Sequence, residues 1–291
     1  MGRKRGPDSG VAGCLVIDKP AGYTSHDVIN IVRKALGTRK VGHAGTLDPD
    51  ATGVLVLGVG VGTKLLEFVV GVDKSYECEI VFGVETSTLD SSGDVTANHN
   101  MSFTLDEASQ AAEKLTGDIE QIPPMVSAIK IDGKRLHELA RQGIEVERKS
   151  RPVTVSKFDV SATDNPLVYS ASIDCSSGTY VRTLGADLGH LLGGGAHIQN
   201  LRRTRVGPFD LTSSVQLADV SEESLRSVKD LLIDMPIIQV DGEVERKVMN
   251  GQSLGQAPGP GRVAICDVAG SLLAVYETKD KHFKPLKVLP H

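Results

Sequence analysis

The sequence predicts an α+β fold: a mixed, mostly antiparallel sheet with flanking helices, followed by a small β-rich C-terminal unit. Three observations carry this expectation. Lys74–Gly83 alternates with period two, with Tyr76, Cys78, Ile80 and Phe82 on one face and Ser75, Glu77, Glu79 and Val81 on the other, the mark of a half-buried strand. Pro152–Val160 and Leu167–Cys175 also alternate and are joined by the turn Thr163-Asp164-Asn165-Pro166, as expected of paired strands. Between such strands lie segments with helical spacing and their own start and stop signals.

The elements follow in order. Residues 1 to 10 are polar and basic, lack a long apolar core after them, and are expected to be disordered rather than a secretory signal. Cys14–Ile17 is a short strand ended by Asp18-Lys19-Pro20. Ala21–Ser25 is a turn with Ser25 as the expected N-cap, and Val28, Ile31, Val32, Ala35 and Leu36 then recur at helical spacing up to Gly37. Val54–Leu57 is an apolar run fit for a buried strand. Gly58–Lys64 invites a phosphate-loop reading, but the order Gly-Thr-Lys misplaces both lysine and hydroxyl for a Walker loop. A bent strand entering a helix over Leu65–Val70 fits better. A turn-rich loop runs from Thr86 to His99. Thr104-Leu105-Asp106-Glu107 is a capping box opening a helix to about Thr116. Gly117 ends that helix, and Pro123-Pro124 makes a stiff link. Met125–Ile131, the turn Asp132-Gly133 and Arg135–Gln142 read as strand, turn and helix. A helix capped by Ser177 or Thr179 runs to Leu192 and stops at three glycines, and Ala196–Leu201 is another strand. Ser221–Leu232 reads as a helical connector. The tail holds strand-like runs at Arg262–Val268 and Ser271–Glu277 and a Pro258–Gly261 turn. The expected organisation is therefore a main domain over 11–235 and a small domain over 236–291.

Bulk properties narrow the function classes. The chain has 291 residues, 40% of them hydrophobic, enough for a sizeable core. No apolar run approaches the ~20 residues of a membrane-spanning helix. The four cysteines, Cys14, Cys78, Cys175 and Cys266, form no CxxC pair, so a zinc site is not expected. Reduced, buried thiols suit a cytoplasmic protein. The net charge of −5 argues mildly against a nucleic-acid binder, yet only the field at the contact face matters. Basic clusters stand at Arg33, Lys34, Arg39 and Lys40, from Lys130 to Arg151, and at Arg202, Arg203 and Arg205.

The stretch Val41–Gly53 has neither helical nor strand period and reads as an ordered loop. Pro49 biases Asp48 toward extended backbone, so a carboxylate is held stiffly at the mouth of a core strand, five residues after an imidazole. From pattern alone, two readings stand: an acid, base or nucleophile, or an aspartate that caps backbone N–H groups in an Asx turn. Arg182 sits in the first turns of its helix, where the dipole disfavours a cation, which suggests a carboxylate partner.

Gly42-His43-Ala44-Gly45-Thr46-Leu47-Asp48-Pro49, followed by Ala51-Thr52-Gly53-Val54-Leu55, resembles the signature of the TruB family of tRNA pseudouridine synthases. Lys19-Pro20-x-Gly22-x-Thr24-Ser25, Lys74-x-Tyr76, Gly178-x-Tyr180-x-Arg182-x-Leu184 and Leu201–Phe209 resemble further motifs of that family, so the likeness covers about residues 14 to 210. It implies a standalone enzyme that flips uridine 55 out of the tRNA T-arm stem-loop and isomerises it to pseudouridine. Such an enzyme needs no metal, nucleotide or redox cofactor and is expected to work as a monomer. The resemblance makes Asp48 the catalytic aspartate, with Arg182 as its ionic partner and Tyr76 as base-stacking group and late proton acceptor. His43, Tyr180, Leu201, Lys19, Lys64 and Asp90 become substrate-binding candidates. The C-terminal unit stands where the family carries a PUA-like RNA-binding domain. Two rivals remain: a non-catalytic tRNA-folding or RNA-binding protein, and a guide-RNA-dependent pseudouridine synthase of the same superfamily. The second is disfavoured by the short C-terminal part without a lysine run.

Overall fold

The computed structural model describes residues 10–127, 130–131, 134–135, 144, 146–255, 259, 261–279 and 281–290. The strands of the main body are β1 (Gly13–Lys19), β2 (Val41–His43), β3 (Thr52–Val59), β4 (Lys74–Phe82), β5 (Val84–Thr86), β6 (Val95–Asn98), β7 (Gly117–Gln121), β8 (Lys130–Ile131), β9 (Lys134–Arg135), β10 (Arg151–Ala162), β11 (Val168–Cys175), β12 (Ala196–Val206), β13 (Phe209–Asp210) and β14 (Val215–Gln216). The C-terminal strands are β15 (Ile237–Gln239), β16 (Arg262–Cys266), β17 (Leu272–Lys279) and β18 (His282–Val288). The helices are α1 (Ser25–Ala35), α2 (Glu67–Val70), α3 (Leu105–Glu113), α4 (Val181–Leu191) and α5 (Gly242–Met249).

One sheet organises the main body, in the order β14-β1-β3-β12-β4-β11-β10-β7, with β13 on β12 and β2 on β3. Only β1–β14 and β3–β12 are parallel pairs; the others are antiparallel. This is the mixed, mostly antiparallel α+β sheet read from the sequence. The period-two face of β4, from Tyr76 to Phe82, packs with α3 and α4 in one core. Val28, Ile29 and Val32 of α1 pack with Leu15, Ile17, Leu55 and Leu57 in a second. The opposite face of β1 and β3 enters a third core, whose other wall is Ala264, Cys266, Leu272 and Val275 of the C-terminal sheet. That small sheet, β15-β16-β17-β18, buries its remaining face against Val248 of α5. The seam is reinforced by the Lys287–Glu67 ion pair at 2.7 Å and by Arg262 over the Phe68 ring. The C-terminal strands thus complete the core of the main body.

Several local expectations change in three dimensions. Thr24, not Ser25, caps α1, in a capping box with Asp27, because the Ser25 hydroxyl is drawn inward to Leu47. The glycine run Gly60–Leu65 is a 3-10 turn before the short α2. A Cβ on Gly62 would stand 2.4 Å from the Gly13 carbonyl oxygen, so these glycines serve close backbone packing. Gly117, expected only to stop α3, also opens β7. The connector at Ser221–Leu232 holds only short 3-10 turns. Arg226 in its middle exchanges both backbone hydrogen bonds with Cys14, at 3.0 and 2.8 Å, and so cannot join a helix. β12 runs on to Val206 instead of ending at Leu201. The expected disorder over residues 1 to 10, the Arg135–Gln142 helix and the Pro258–Gly261 turn lie largely outside the described residues, and of Met125–Ile131 only Lys130–Ile131 is described as strand.

The shared core predicts that a chain ending at residue 235 unfolds about 5 °C or more below the full chain, equivalent to ~2 kcal/mol in a body of this size. Scanning calorimetry checks this; an unchanged Tm would mean that the main body's core closes without β15–β18.

Candidate active site

The Asp48 loop, between β2 and β3, is defined by what its carbonyl groups meet. The Arg203 guanidinium donates to Gly45 O at 3.2 Å, Thr46 O at 3.4 Å and Val54 O at 2.8 Å. Ser25 Oγ donates to Leu47 O at 3.1 Å and accepts from Leu47 N at 2.9 Å. Ala51 N donates to Asp48 O at 3.2 Å, and both Gly22 N and Lys19 Nζ donate to Pro49 O, at 3.0 and 2.9 Å. Every carbonyl from residue 45 to 49 therefore has a donor. Gly53, at φ +100°, admits β12 alongside: a Cβ there would lie 2.1 Å from Arg203 O.

So held, Asp48 presents a half-exposed carboxylate to an open cleft. Pro49, Thr88, Asp90, Val126, Arg182 and Leu201 also line it. Arg182, on the first turn of α4, lies almost wholly buried with Nη2 3.3 Å from Asp48 Oδ2 and Nη1 3.2 Å from Asp90 Oδ2. It also donates to Thr88 O at 3.0 Å and Val126 O at 2.9 Å. The carboxylate partner expected from the helix dipole is thus two carboxylates. Asp90 is held in turn by Thr88 Oγ1 at 2.6 Å and by Ser92 N and Oγ at 3.1 and 2.6 Å. Tyr180 is the N-cap of α4, in place of Ser177 or Thr179, and its side chain makes no cap hydrogen bond. Gln121 of β7 supplies one instead, its Oε1 accepting from Tyr180 N at 2.8 Å while its Nε2 donates to Tyr180 O at 3.1 Å.

The remaining sequence-derived residues divide. Leu201 lines the cleft and bridges two cores. Tyr76 is buried, opposite Arg203 across β4–β12, and neither it nor His43 is among the residues lining the cleft. Burial raises its phenol pKa, opposed by the Arg203 charge and a hydrogen bond from it. His43 ends β2; burial first, then the charges of Arg203 and His26, keep its imidazole below its ordinary pKa and so neutral at pH 7. Tyr180 contributes backbone, and its ring is not in the cleft lining. Lys19 is fully buried, and its ammonium donates to the carbonyls of Pro20, Tyr23 and Pro49; burial pushes its pKa down to about 8. It holds the loop and is not among the residues lining the cleft. Lys64 is displaced further: its Nζ reaches Val288 O at 3.4 Å on the C-terminal sheet, away from the cleft lining.

The sequence places Arg203 in a basic strip and so does not mark it as the buried clamp of the loop. The strip itself dissolves: Arg202 pairs with Asp18 at 2.8 Å and Arg205 with Asp174 at 3.6 Å. The usable signal was Arg203's place in the Leu201–Phe209 motif. Arg148 donates to Pro123 O, Arg141 lies outside the described residues, and the side chain of Lys130 is not described.

A sheet of this topology with a carboxylate–arginine pair at its cleft defines an enzyme of the pseudouridine synthase fold. Chains from structures of a Cbf5-Nop10-Gar1 complex and of an H/ACA RNP bound to a substrate RNA containing 2′-deoxyuridine superpose on it. Their TM-scores are 0.72 and 0.71 at 24% and 21% identity, over 96% of this chain and 84% and 85% of theirs. Residues 33–181 match the N-terminal domain of the TruB family pseudouridylate synthases, residues 182–235 the tRNA pseudouridylate synthase B C-terminal domain, and residues 235–290 the C-terminal part of tRNA pseudouridine synthase II. The tRNA pseudouridine synthase B of Rhodococcus jostii is 45% identical over 99% of this chain and 98% of its own, and that of Mycobacterium bovis 41% over 95% of each. The chain belongs to the TruB family of pseudouridylate synthases.

An ammonium cannot span the four oxygens that the Arg182 guanidinium holds. Arg182→Lys is therefore expected to lower kcat/KM by about 10²–10³-fold while keeping the charge, the size of loss seen when a positioned donor is removed from an active site. Steady-state kinetics check this; activity within a few-fold of the parent would show that charge alone suffices at this position.

Proposed function

We propose that this enzyme isomerises uridine 55 in the T-loop of tRNA to pseudouridine, acting alone on the folded T-arm. Family membership makes it a tRNA pseudouridine synthase, an isomerase. The observation that supports the site assignment is the Asp48–Arg182 pair at the cleft, on a loop whose carbonyl groups from residue 45 to 49 all have donors. A uridine stacked in a loop cannot reach that carboxylate, so the nucleotide must leave the stack at a cost of roughly a few kcal/mol. The glycosidic bond is then cleaved, the uracil turned, and a carbon–carbon bond formed between ribose C1′ and ring C5. Asp48 acts at the sugar, either as nucleophile on C1′ or as proton acceptor there. Arg182 pairs with its carboxylate and aims it. Tyr76 is assigned to stack on the base, and its phenolate, the form that the Arg203 charge and hydrogen bond favour, to accept the proton lost from C5 at the end. The neutral His43 imidazole suits stacking in the space the flipped base vacates, and Leu201 packs against the base. The proposed setting is the cytoplasm, where the enzyme meets its tRNA. Among the described residues no helix is long and apolar enough to cross a membrane.

Tritium release from a T-arm hairpin labelled at C5 of the target uridine tests this reading. The hairpin should be turned over with chelator present and without guide RNA or protein partner. Release that requires guide RNA and accessory proteins would move the chain to the guide-dependent class, and tight binding without release would leave an RNA-folding protein. In the same assay Asp48→Asn should fall below about 1% of the parent rate, a loss of ~3 kcal/mol or more of transition-state stabilisation, with hairpin binding retained. Tyr76→Phe should bind normally and stall late, so that single-turnover mixtures accumulate the carbon-linked intermediate that still holds its C5 tritium. Near-parent turnover by either variant removes the role given to that residue.

A further inference from the structure

At the rim of the same cleft lies a polar trio that none of the steps above uses. Glu79 of β4 faces Gln199 of β12 across the antiparallel pair. In a regular strand Asn200 would then point to the opposite face. Here β12 carries a bulge between Gln199 and Arg202, and Asn200 takes φ +54°, a left-handed backbone that asparagine tolerates better than most side chains. The bulge turns Asn200 back onto the face of its neighbour. Gln199 Nε2 and Asn200 Nδ2 both donate to Glu79 Oε2, at 2.7 and 2.8 Å, and both residues line the cleft.

A carboxylate only accepts hydrogen bonds, so each amide must turn its NH2 group toward Glu79. That fixes both amide orientations and leaves Gln199 Oε1 and Asn200 Oδ1 as the outward polar atoms. Among the described residues neither oxygen has a donor. Two carbonyl oxygens over a carboxylate form an electronegative patch, which repels phosphate and suits an N–H or O–H donor. We propose that Gln199 and Asn200, oriented by Glu79, bind a hydrogen-bond donor on a nucleotide next to the target uridine. Two groups carry that chemistry in RNA, the ribose 2′-hydroxyl and a base N–H. The trio then sets which neighbours the cleft accepts, and whether they are ribose or deoxyribose. This rests on the pseudouridine-55 reading for the identity of the RNA.

The test is a set of T-arm hairpins with single atoms deleted beside the target: 2′-deoxy sugars in one arm, bases lacking one N–H donor in the other. They are assayed against the parent and against Asn200→Gly, Gln199→Met and Glu79→Gln; glycine preserves the positive φ. One RNA deletion should raise the parent's KM by about 3–10-fold, the size of a single hydrogen bond. The same deletion should cost nothing further in Asn200→Gly or Gln199→Met. Glu79→Gln, which keeps both amides but frees them to turn, should abolish the effect as well. Which arm responds identifies the donor as sugar or base. Equal penalties in the parent and all three variants, or no penalty from any deletion, would overturn the proposal. Equilibrium binding of the same hairpins reads the same cycle, so a parent that binds but releases no tritium would overturn the pseudouridine-55 reading and still decide this one.

Discussion

The site depends on two buried cations that hold backbone carbonyl groups. Lys19 and Arg203 are withdrawn from solvent almost completely, a costly placement unless every donor finds an acceptor. The acceptors are carbonyls of the Asp48 loop, of Val54 beside it and of the Pro20–Tyr23 turn after β1. The requirement is mutual, because a loop entering the core must satisfy its own carbonyls. Each side removes the other's desolvation penalty, and the result is a loop with little freedom to move. The Asp48 carboxylate inherits that rigidity, as a preorganised group must.

Arg182 extends the same logic from backbone to charge. It ties together the Asp48 loop, the Thr88–Asp90 turn, the Val126 segment and helix α4 through four oxygens. A cation near a helix N-terminus is unfavourable in isolation, and two carboxylates more than offset that. The position of α4 also depends on Gln121, whose amide caps Tyr180 from a neighbouring strand. The geometry at Asp48 is thus set by β7, α4 and the Asp90 turn together.

The C-terminal sheet bears on the site indirectly. Its buried face lies against Val54 and Val56 of β3, the strand that follows the Asp48 loop, so the covering of that core helps fix where the loop begins and ends. Lys64, Glu67 and Phe68 meet this sheet, which accounts for conspicuous residues beside a glycine-rich run that lie outside the cleft lining.

Local pattern was sufficient for much of the architecture. The alternation from Tyr76 to Phe82 requires a strand with one buried face, and the Thr104–Glu107 box opens a helix wherever it is placed, because both signals arise from neighbours in the chain. The motif around Asp48 and the dipole conflict at Arg182 likewise marked the candidate pair from sequence alone. Tertiary contacts decided the rest. Nothing local shows that Arg203 is buried while Arg202 and Arg205 pair nearer the surface, since burial is set by which strand lies alongside. In the same way Ser25 left its cap for Leu47, the Arg226 backbone turned to Cys14, and Gln121 capped a helix 59 residues away. Each used a hydrogen-bonding group whose best partner is distant in sequence, and such partners exist only once the chain has folded.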